Sequence, residues 1–313
     1  MVKLIVGMMG SSVANGAKSI ATPEAVLSFL DVCRTHHVDE LDTARVYNGG
    51  KSEELLGAVE AHKDFCIATK APAFAKGSLQ YDAIVENCRK SLAALKQDKI
   101  ELYYIHGPDR STPLEEQCRA IGQLHKEGKI ERFGVSNLSD DEVQKIYDIC
   151  KENGYVLPSV YQGGFSPLHQ GSKKTLLPLL RKLDMAFYAF SPLAGGLLAK
   201  NIDDFAKPAE GTRYHEMPVF GDLFLKDGII SELRKLTATC QEHGITTLEA
   251  TLRWFKHHSP LQQQDGVIVG ASSNTQLEAS LAAYEKGSLP EPVQQAFVTL
   301  WTNIEHIAPG YHN

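Results

Sequence analysis

A parallel (β/α)8 barrel of the TIM type, built as a single domain, is the fold this sequence predicts. Three observations point to it. Short β-rich runs alternate with amphipathic helical stretches along the whole chain, the order that builds a parallel sheet with helical crossovers. Eight such runs are present: Leu4–Gly10, Asp39–Ala44, Cys66–Ala71, Lys99–Gly107, Glu131–Asn137, Ser159–Gly164, Ala186–Pro192 and Gly266–Ala271. The length of 313 residues suits eight βα units closed into a barrel, whereas open doubly wound sheets usually carry fewer strands.

The intervening helices carry start signals. Thr22-Pro23-Glu24 sets a capping Thr before a Pro at the first helical position, and Leu27, Leu30 and Cys33 follow at helical spacing. Thr112-Pro113-Leu114-Glu115 reads the same way, and Ser139 to Glu142 has the pattern of a capping box. After strand seven, Asn201–Leu225 shows little helical or strand period, and a loop that long in a compact domain is usually functional or mobile. A last helical pattern, Pro290 to Ile304, leads into a short irregular tail. No linker divides the chain, so residues 1–313 are read as one domain.

Composition excludes several function classes. Apolar residues make up 43% and charged residues 22%, an ordinary globular balance. Lys and Arg number 32 against 38 Asp and Glu; with no basic block, nothing supports a nucleic-acid surface. No apolar run approaches the ~18–20 residues of a membrane span, and the first residues lack the form of a signal peptide. Six scattered cysteines without a CxxC pair suggest neither a metal site nor a disulfide framework, so reduced thiols in a cytoplasmic protein are expected. HExxH and GxGxxG are both absent. Gly50-Lys51-Ser52 matches the end of a phosphate-binding P-loop, but Arg45 stands where its first glycine is required. The pairs His36-His37 and His257-His258 fall at helix ends, where the helix dipole explains them better than metal binding does. Trp254 reads as core, and Trp301 reads as packing, with a wall of the substrate pocket as the alternative.

A barrel carries its active site at the C-terminal ends of its strands. Strand two runs into Asp42 and then Tyr47, strand three reaches Lys70, strand four His106, strand five Ser136-Asn137, strand six Gln162 and strand seven Phe190-Ser191. Each alone could be a solvated strand end; their convergence favours a site. Tyr47, Lys70, Asp42 and His106 make an acid–base group. A tyrosine is a weak acid, an adjacent ammonium eases its ionisation, and a carboxylate holds the ammonium charged. Such a set can protonate an oxygen, but none of it can store a hydride, so a cofactor must.

The segments ELDTARVYNGGKSEELLG, IATKAPAF, LYYIHGPD, GVSNLS, VYQGGFSPL, FYAFSPLAGGLL and GVIVGASSNTQLEASL together resemble the aldo-keto reductases over essentially the whole chain. The nearest resemblance is to the aflatoxin-aldehyde reductase subgroup. It implies a (β/α)8 barrel and reduction of aldehydes, extending to ketones or dicarbonyls, by direct hydride transfer from NADPH. It also implies Tyr47 as proton donor, Lys70 lowering its pKa, Asp42 pairing with Lys70, and His106 orienting the carbonyl. No metal is involved.

For the cofactor, the resemblance implies Ser136, Asn137 and Gln162 around the nicotinamide carboxamide, Phe190 stacked on its ring, and Asp42 among the cofactor-binding residues. Ser191, Pro192, Leu193, Gly195, Gly196 and Lys200 would meet the pyrophosphate. Gly270, Ser272, Ser273, Gln276 and Ser280 would meet the 2′-phosphate, although the arginine common there in the family is missing. NADPH is favoured, with NADH as the other option. The substrate pocket is expected to take Met8, Met9, Tyr47, His106, Arg213 and Tyr311. The subgroup often ends in an arginine near the substrate; this tail ends Tyr311-His312-Asn313, which puts a preference for acidic substrates in doubt. The resemblance allows a homodimer. An alternative reading is an NADPH-binding regulatory or sensing subunit of the same fold with negligible turnover.

Overall fold

The computed structural model of the protein describes residues 2–11, 20–210 and 212–311. Eight parallel strands pair in chain order and close on themselves: β1 (Lys3–Gly7), β2 (Glu40–Asp42), β3 (Cys66–Ala71), β4 (Ile100–Ile105), β5 (Ile130–Ser136), β6 (Pro158–Gly164), β7 (Ala186–Phe190) and β8 (Gly266–Gly270), with β8 beside β1. Around them lie α1 (Pro23–Thr35), α2 (Lys51–Ala58), α3 (Tyr81–Leu95), α4 (Leu114–Lys126), α5 (Asp140–Glu152), α6 (Leu176–Lys182), α7 (Arg213–Glu216), α8 (Val219–Phe224), α9 (Asp227–Glu242), α10 (Thr247–His257), α11 (Asn274–Glu285) and α12 (Glu291–Ile304). The (β/α)8 barrel is therefore the observed fold.

Six strands end earlier at their C-terminal ends than the sequence predicts. The overrun residues are already turning to form the mouth. Met8–Ser11 is a 3-10 turn, and Asn137 (φ 58°) and Ser191 (φ 54°) are left-handed, a conformation that cannot continue a strand. Thr22 caps α1 through a bond from the Ala25 amide, and Ser139 and Glu142 form the full capping box of α5. Thr112 does not cap α4. Its hydroxyl donates to Asp109 (2.7 Å), which also takes Ser111 and the Leu79 amide, so Pro113 stands at the cap without a side-chain bond. Residues 201–225 are not irregular either. They hold a 3-10 turn (Ile202–Phe205), α7 and α8, pinned by a chain of aromatic contacts from Phe205 through Tyr214 and Phe220 to Phe224.

The side chains fall into concentric layers. Ile5, Ala68, Leu102, Tyr104, Val160, Tyr188 and Ile268 fill the barrel interior. Because alternate residues share a face, this set sends Lys70, Gln162, Phe190 and Gly270, two positions further along their strands, inward at the mouth. Tyr104 fits only because Gly134 faces it; a Cβ there would stand 2.3 Å from its ring. Outside the wall, apolar clusters bind the helices to the strands. Trp254 is core as expected, stacked between Phe165 (6.1 Å) and Phe297 (5.8 Å), which fastens α10 and α12 to the chain beyond β6. At the floor, buried Asp265 binds the Arg181 guanidinium and the amides of Phe187 and Gln262. Five of the six free cysteines are buried. Cys66, at the start of β3, is exposed. Burial pushes the thiols of Cys33 and Cys88 up to about 12.

Candidate active site

The mouth is organised around one ammonium. Lys70 points inward from β3 with 0% exposure. Its Nζ donates to Asp42 Oδ1 (2.5 Å) and to the Thr43 carbonyl (2.7 Å). The second oxygen of Asp42 accepts from Gln162 Nε2 (2.7 Å). Burial alone would pull the Lys70 pKa down, but the Asp42 charge and hydrogen bonds to Asp42 and Tyr47 outweigh it, and the net direction is up. Lys70 is thus charged at neutral pH, 5.2 Å from the centre of the Tyr47 ring and 5.6 Å from that of Tyr104.

Tyr47 opens a 3-10 turn, Tyr47–Gly50, between β2 and α2. Burial raises its pKa; Lys70 lowers it, Asp42 raises it, and Arg213 lowers it. The net direction is up. The lysine acts in the expected sense, yet desolvation of the phenolate dominates, so the phenol keeps its proton at neutral pH. His106, just past β4, stands edge-on to both Tyr47 and Phe74, each at 5.8 Å between ring centres. Burial, and then the Lys70 charge, drive its pKa down to about 3. The imidazole is therefore neutral. Its Nδ1 is buried with no hydrogen-bond partner among the described residues.

Next to this group, Asn137 donates to the His106 carbonyl (2.9 Å) and to Ser136 Oγ (2.9 Å). Ser136 and Gln162 are buried, and Phe190 is half-buried at the end of β7. The chain after Phe190 has a left-handed run: Ser191, Ala194, Gly195 and Gly196 all have positive φ, and Pro192 and Leu193 lie between them. Phe220 packs against Gly195, and the Tyr214 hydroxyl donates to the Ala194 carbonyl (2.9 Å). Lys200 is exposed and runs past Gly196. At the end of β8, Gly270 is exposed. Ser273 caps α11 through the Gln276 amide, and Gln276 Oε1 accepts from the Ser272 amide (3.1 Å) and hydroxyl (2.8 Å). Ser280 does not join them. It is buried a turn further along, and its hydroxyl donates to the Gln276 carbonyl.

Of the expected substrate residues, Met8 is also misplaced. It is 2% exposed, packed with Phe29, Leu41 and Leu56 between wall and helices. Met9, 38% exposed, is the methionine at the mouth. Arg213 reaches the same place from α7. Its guanidinium contacts the sulfurs of Met217 (3.3 Å) and Met9 (3.7 Å), and no carboxylate pairs with it among the described residues. Burial lowers its pKa, while the facing Tyr47 raises it. Tyr311 packs half-buried on the core beside the loop at Gly171, while His312 and Asn313 lie outside the described residues.

Sequence reading missed Phe74. Its ring is 62% exposed on a left-handed backbone (φ 70°), leaning on His106 and over Gly107, where a Cβ would collide with it at 2.2 Å. The only signal was its place just after a strand end. Among the described residues no group of His, Cys, Asp or Glu could hold a metal ion.

Fold and side chains together define a class: a (β/α)8 barrel oxidoreductase. The model of the Aldo/keto reductase family matches residues 3–300. The chain is 40% identical to "Oxidoreductase sirO" of Leptosphaeria maculans, over 93% of this chain and 89% of that protein. It is 38% identical to "Aflatoxin B1 aldehyde reductase member 2" of Mus musculus (93% and 83%) and 39% identical to "Aflatoxin B1 aldehyde reductase member 4" of Homo sapiens (87% and 87%). The chain belongs to the aldo/keto reductase family, and it is an NAD(P)-dependent oxidoreductase.

Proposed function

We propose that this protein reduces aldehydes to alcohols with NADPH, and that Tyr47 delivers the proton. The observation that carries the reading is the buried, charged Lys70 behind Tyr47, with neutral His106 facing the same phenol.

NADPH, when bound, supplies the hydride. The described residues fit such a group. Gly195 and Gly196, both at positive φ and without side chains, let the backbone approach a pyrophosphate closely, and Lys200 adds a positive charge beside them. Gly270 leaves its part of the mouth open. Asn137 uses its amide hydrogens within the protein, which leaves Oδ1 as an acceptor for a carboxamide; Phe190 offers a ring face. The Ser272–Gln276 cap is the candidate 2′-phosphate contact: Gln276 accepts from Ser272 through Oε1, which leaves its amide hydrogens to donate to a phosphate.

Within the protein, Asp42 and the Thr43 carbonyl hold Lys70 in place. Lys70 stabilises the phenolate that Tyr47 becomes on giving up its proton. His106, neutral and lacking a partner at Nδ1, is free to orient a carbonyl oxygen. Phe74, Val46, Met9, Met217 and Val219 are exposed apolar side chains on the turns and short helices that follow the strands, suited to an apolar aldehyde. Arg213, with sulfur contacts only, would favour substrates that also bear an anionic group despite the tail's lack of arginine.

Stopped-flow oxidation of NADPH with 4-nitrobenzaldehyde tests the reading, with NADH in a parallel arm. Turnover that falls ~100-fold or more in Tyr47→Phe is expected. Bound NADPH without turnover would instead make the protein a sensing subunit. A panel with and without a carboxylate, run on Arg213→Gln, reads the anion preference: kcat/KM should fall selectively for the carboxylated members.

A further inference from the structure

Behind the wall of the site lies a second buried charge cluster. Glu53, in the first turn of α2, is 0% exposed. A glutamate there is ordinarily a surface residue placed to suit the helix dipole. Here one carboxylate oxygen accepts from Thr69 Oγ1 (2.6 Å) and the other from the Arg45 guanidinium. Arg45 is mostly buried and lies over Gly50, where a Cβ would stand 1.8 Å from its Nη2. Gly50 is also left-handed (φ 94°), so glycine is required there twice over. One bond higher, Thr43 Oγ1 and Ser52 Oγ meet at 2.7 Å.

The positions of these residues in the chain matter most. Arg45 lies two residues before Tyr47 and Glu53 six residues after it, so their ion pair closes a staple around the Tyr47 turn. Thr69 immediately precedes Lys70. On a strand, neighbours face opposite sides, so Lys70 enters the barrel while Thr69 meets Glu53 outside it. One carboxylate therefore anchors both the loop that carries the phenol and the strand that carries the ammonium. Nothing else polar is needed to explain its burial, and a buried charge is retained only when it is well paired.

We propose that Glu53 and Arg45 are positioning residues that fix the distance between Tyr47 and Lys70. The proposal rests on the reading of Tyr47 as proton donor. Their side chains bond to one another and, from Glu53, to Thr69, so Arg45 acts through the Tyr47 turn and Glu53 through both that turn and Thr69.

The test compares Glu53→Gln, Arg45→Lys and Tyr47→Phe with the native protein. The readouts are kcat, KM for NADPH and for the aldehyde, the pH profile of kcat, and the melting temperature. Arg45→Lys keeps the charge but loses the planar fork, so it decides the matter if Glu53→Gln fails to fold. In both variants kcat should fall on the order of tenfold to a hundredfold, with KM for NADPH unchanged. The alkaline limb of the kcat profile should move to higher pH, because a phenol further from the ammonium holds its proton more tightly. Native kcat in folded variants would overturn the proposal. So would a loss of kcat with the limb unmoved, which is the signature of a merely structural pair. If Tyr47→Phe itself keeps normal turnover, the donor assignment fails, and the positioning proposal with it. If Tyr47→Phe is inactive while both other variants behave as native, only the positioning proposal falls.

Discussion

The ionisation states at the mouth follow from burial more than from charge pairing. Tyr47 remains protonated although an ammonium faces it, and His106 remains neutral down to about 3. No ionisation of His106 therefore falls between pH 5 and 8, and kcat/KM should show no acid limb from it in that range. A limb near pH 6–7 that His106→Gln abolishes would contradict this state. Residue types made Asp42, Tyr47, Lys70 and His106 legible, since few other roles bring those four to neighbouring strand ends. Glu53 and Phe74 were not legible. A glutamate in a first helical turn and an aromatic in a loop each have a commonplace surface reading, and burial is a property of the fold.

At the scale of elements, α1 and α11 are joined by a histidine clamp. His36, at the C-terminal cap of α1, binds Glu285 (2.7 Å) and Glu278 (3.0 Å), one with each ring nitrogen. Burial of the ring pulls its pKa down, but the two carboxylate bonds outweigh that and raise it above its usual 6.5. A raised pKa means that the folded state holds the proton more tightly. The contribution is complete below 6.5 and fades as pH rises through the folded value. It amounts to about 1 kcal/mol at most, since both carboxylates are half-exposed. His36→Gln should lower the melting temperature at pH 5.5 and leave it nearly unchanged at pH 9. Equal losses at both pH values would show that the clamp works through packing. The sequence placed His36 at a helix end and assigned it to the dipole. The partners lie some 240 residues further along, which no local pattern reveals. Strand order, by contrast, was legible because each βα unit repeats the same local alternation. The three short turns of residues 201–225 were hidden, because aromatic contacts to one another hold them rather than any helical period.

For the whole molecule, the two ends of the barrel divide the work. The mouth carries the buried Lys70–Asp42 pair with Tyr47 and His106, and the floor carries Asp265, which ties α6 to β7 and to the turn before β8. Asp265→Asn breaks a buried ion pair and should cost about 3–5 kcal/mol of stability. Turnover per folded molecule should stay native. A selective loss of kcat, with the melting temperature unchanged, would mean that the floor communicates with the mouth. The cysteine pattern has its own consequence for this two-ended body. Five thiols are sealed inside, and Cys66 alone is open, at the end of the barrel opposite Tyr47. A maleimide dye should therefore attach once per native chain and up to six times after unfolding. The protein therefore carries a single native labelling point, at which one dye can be set on the floor of the barrel without adding or removing a residue in the chain.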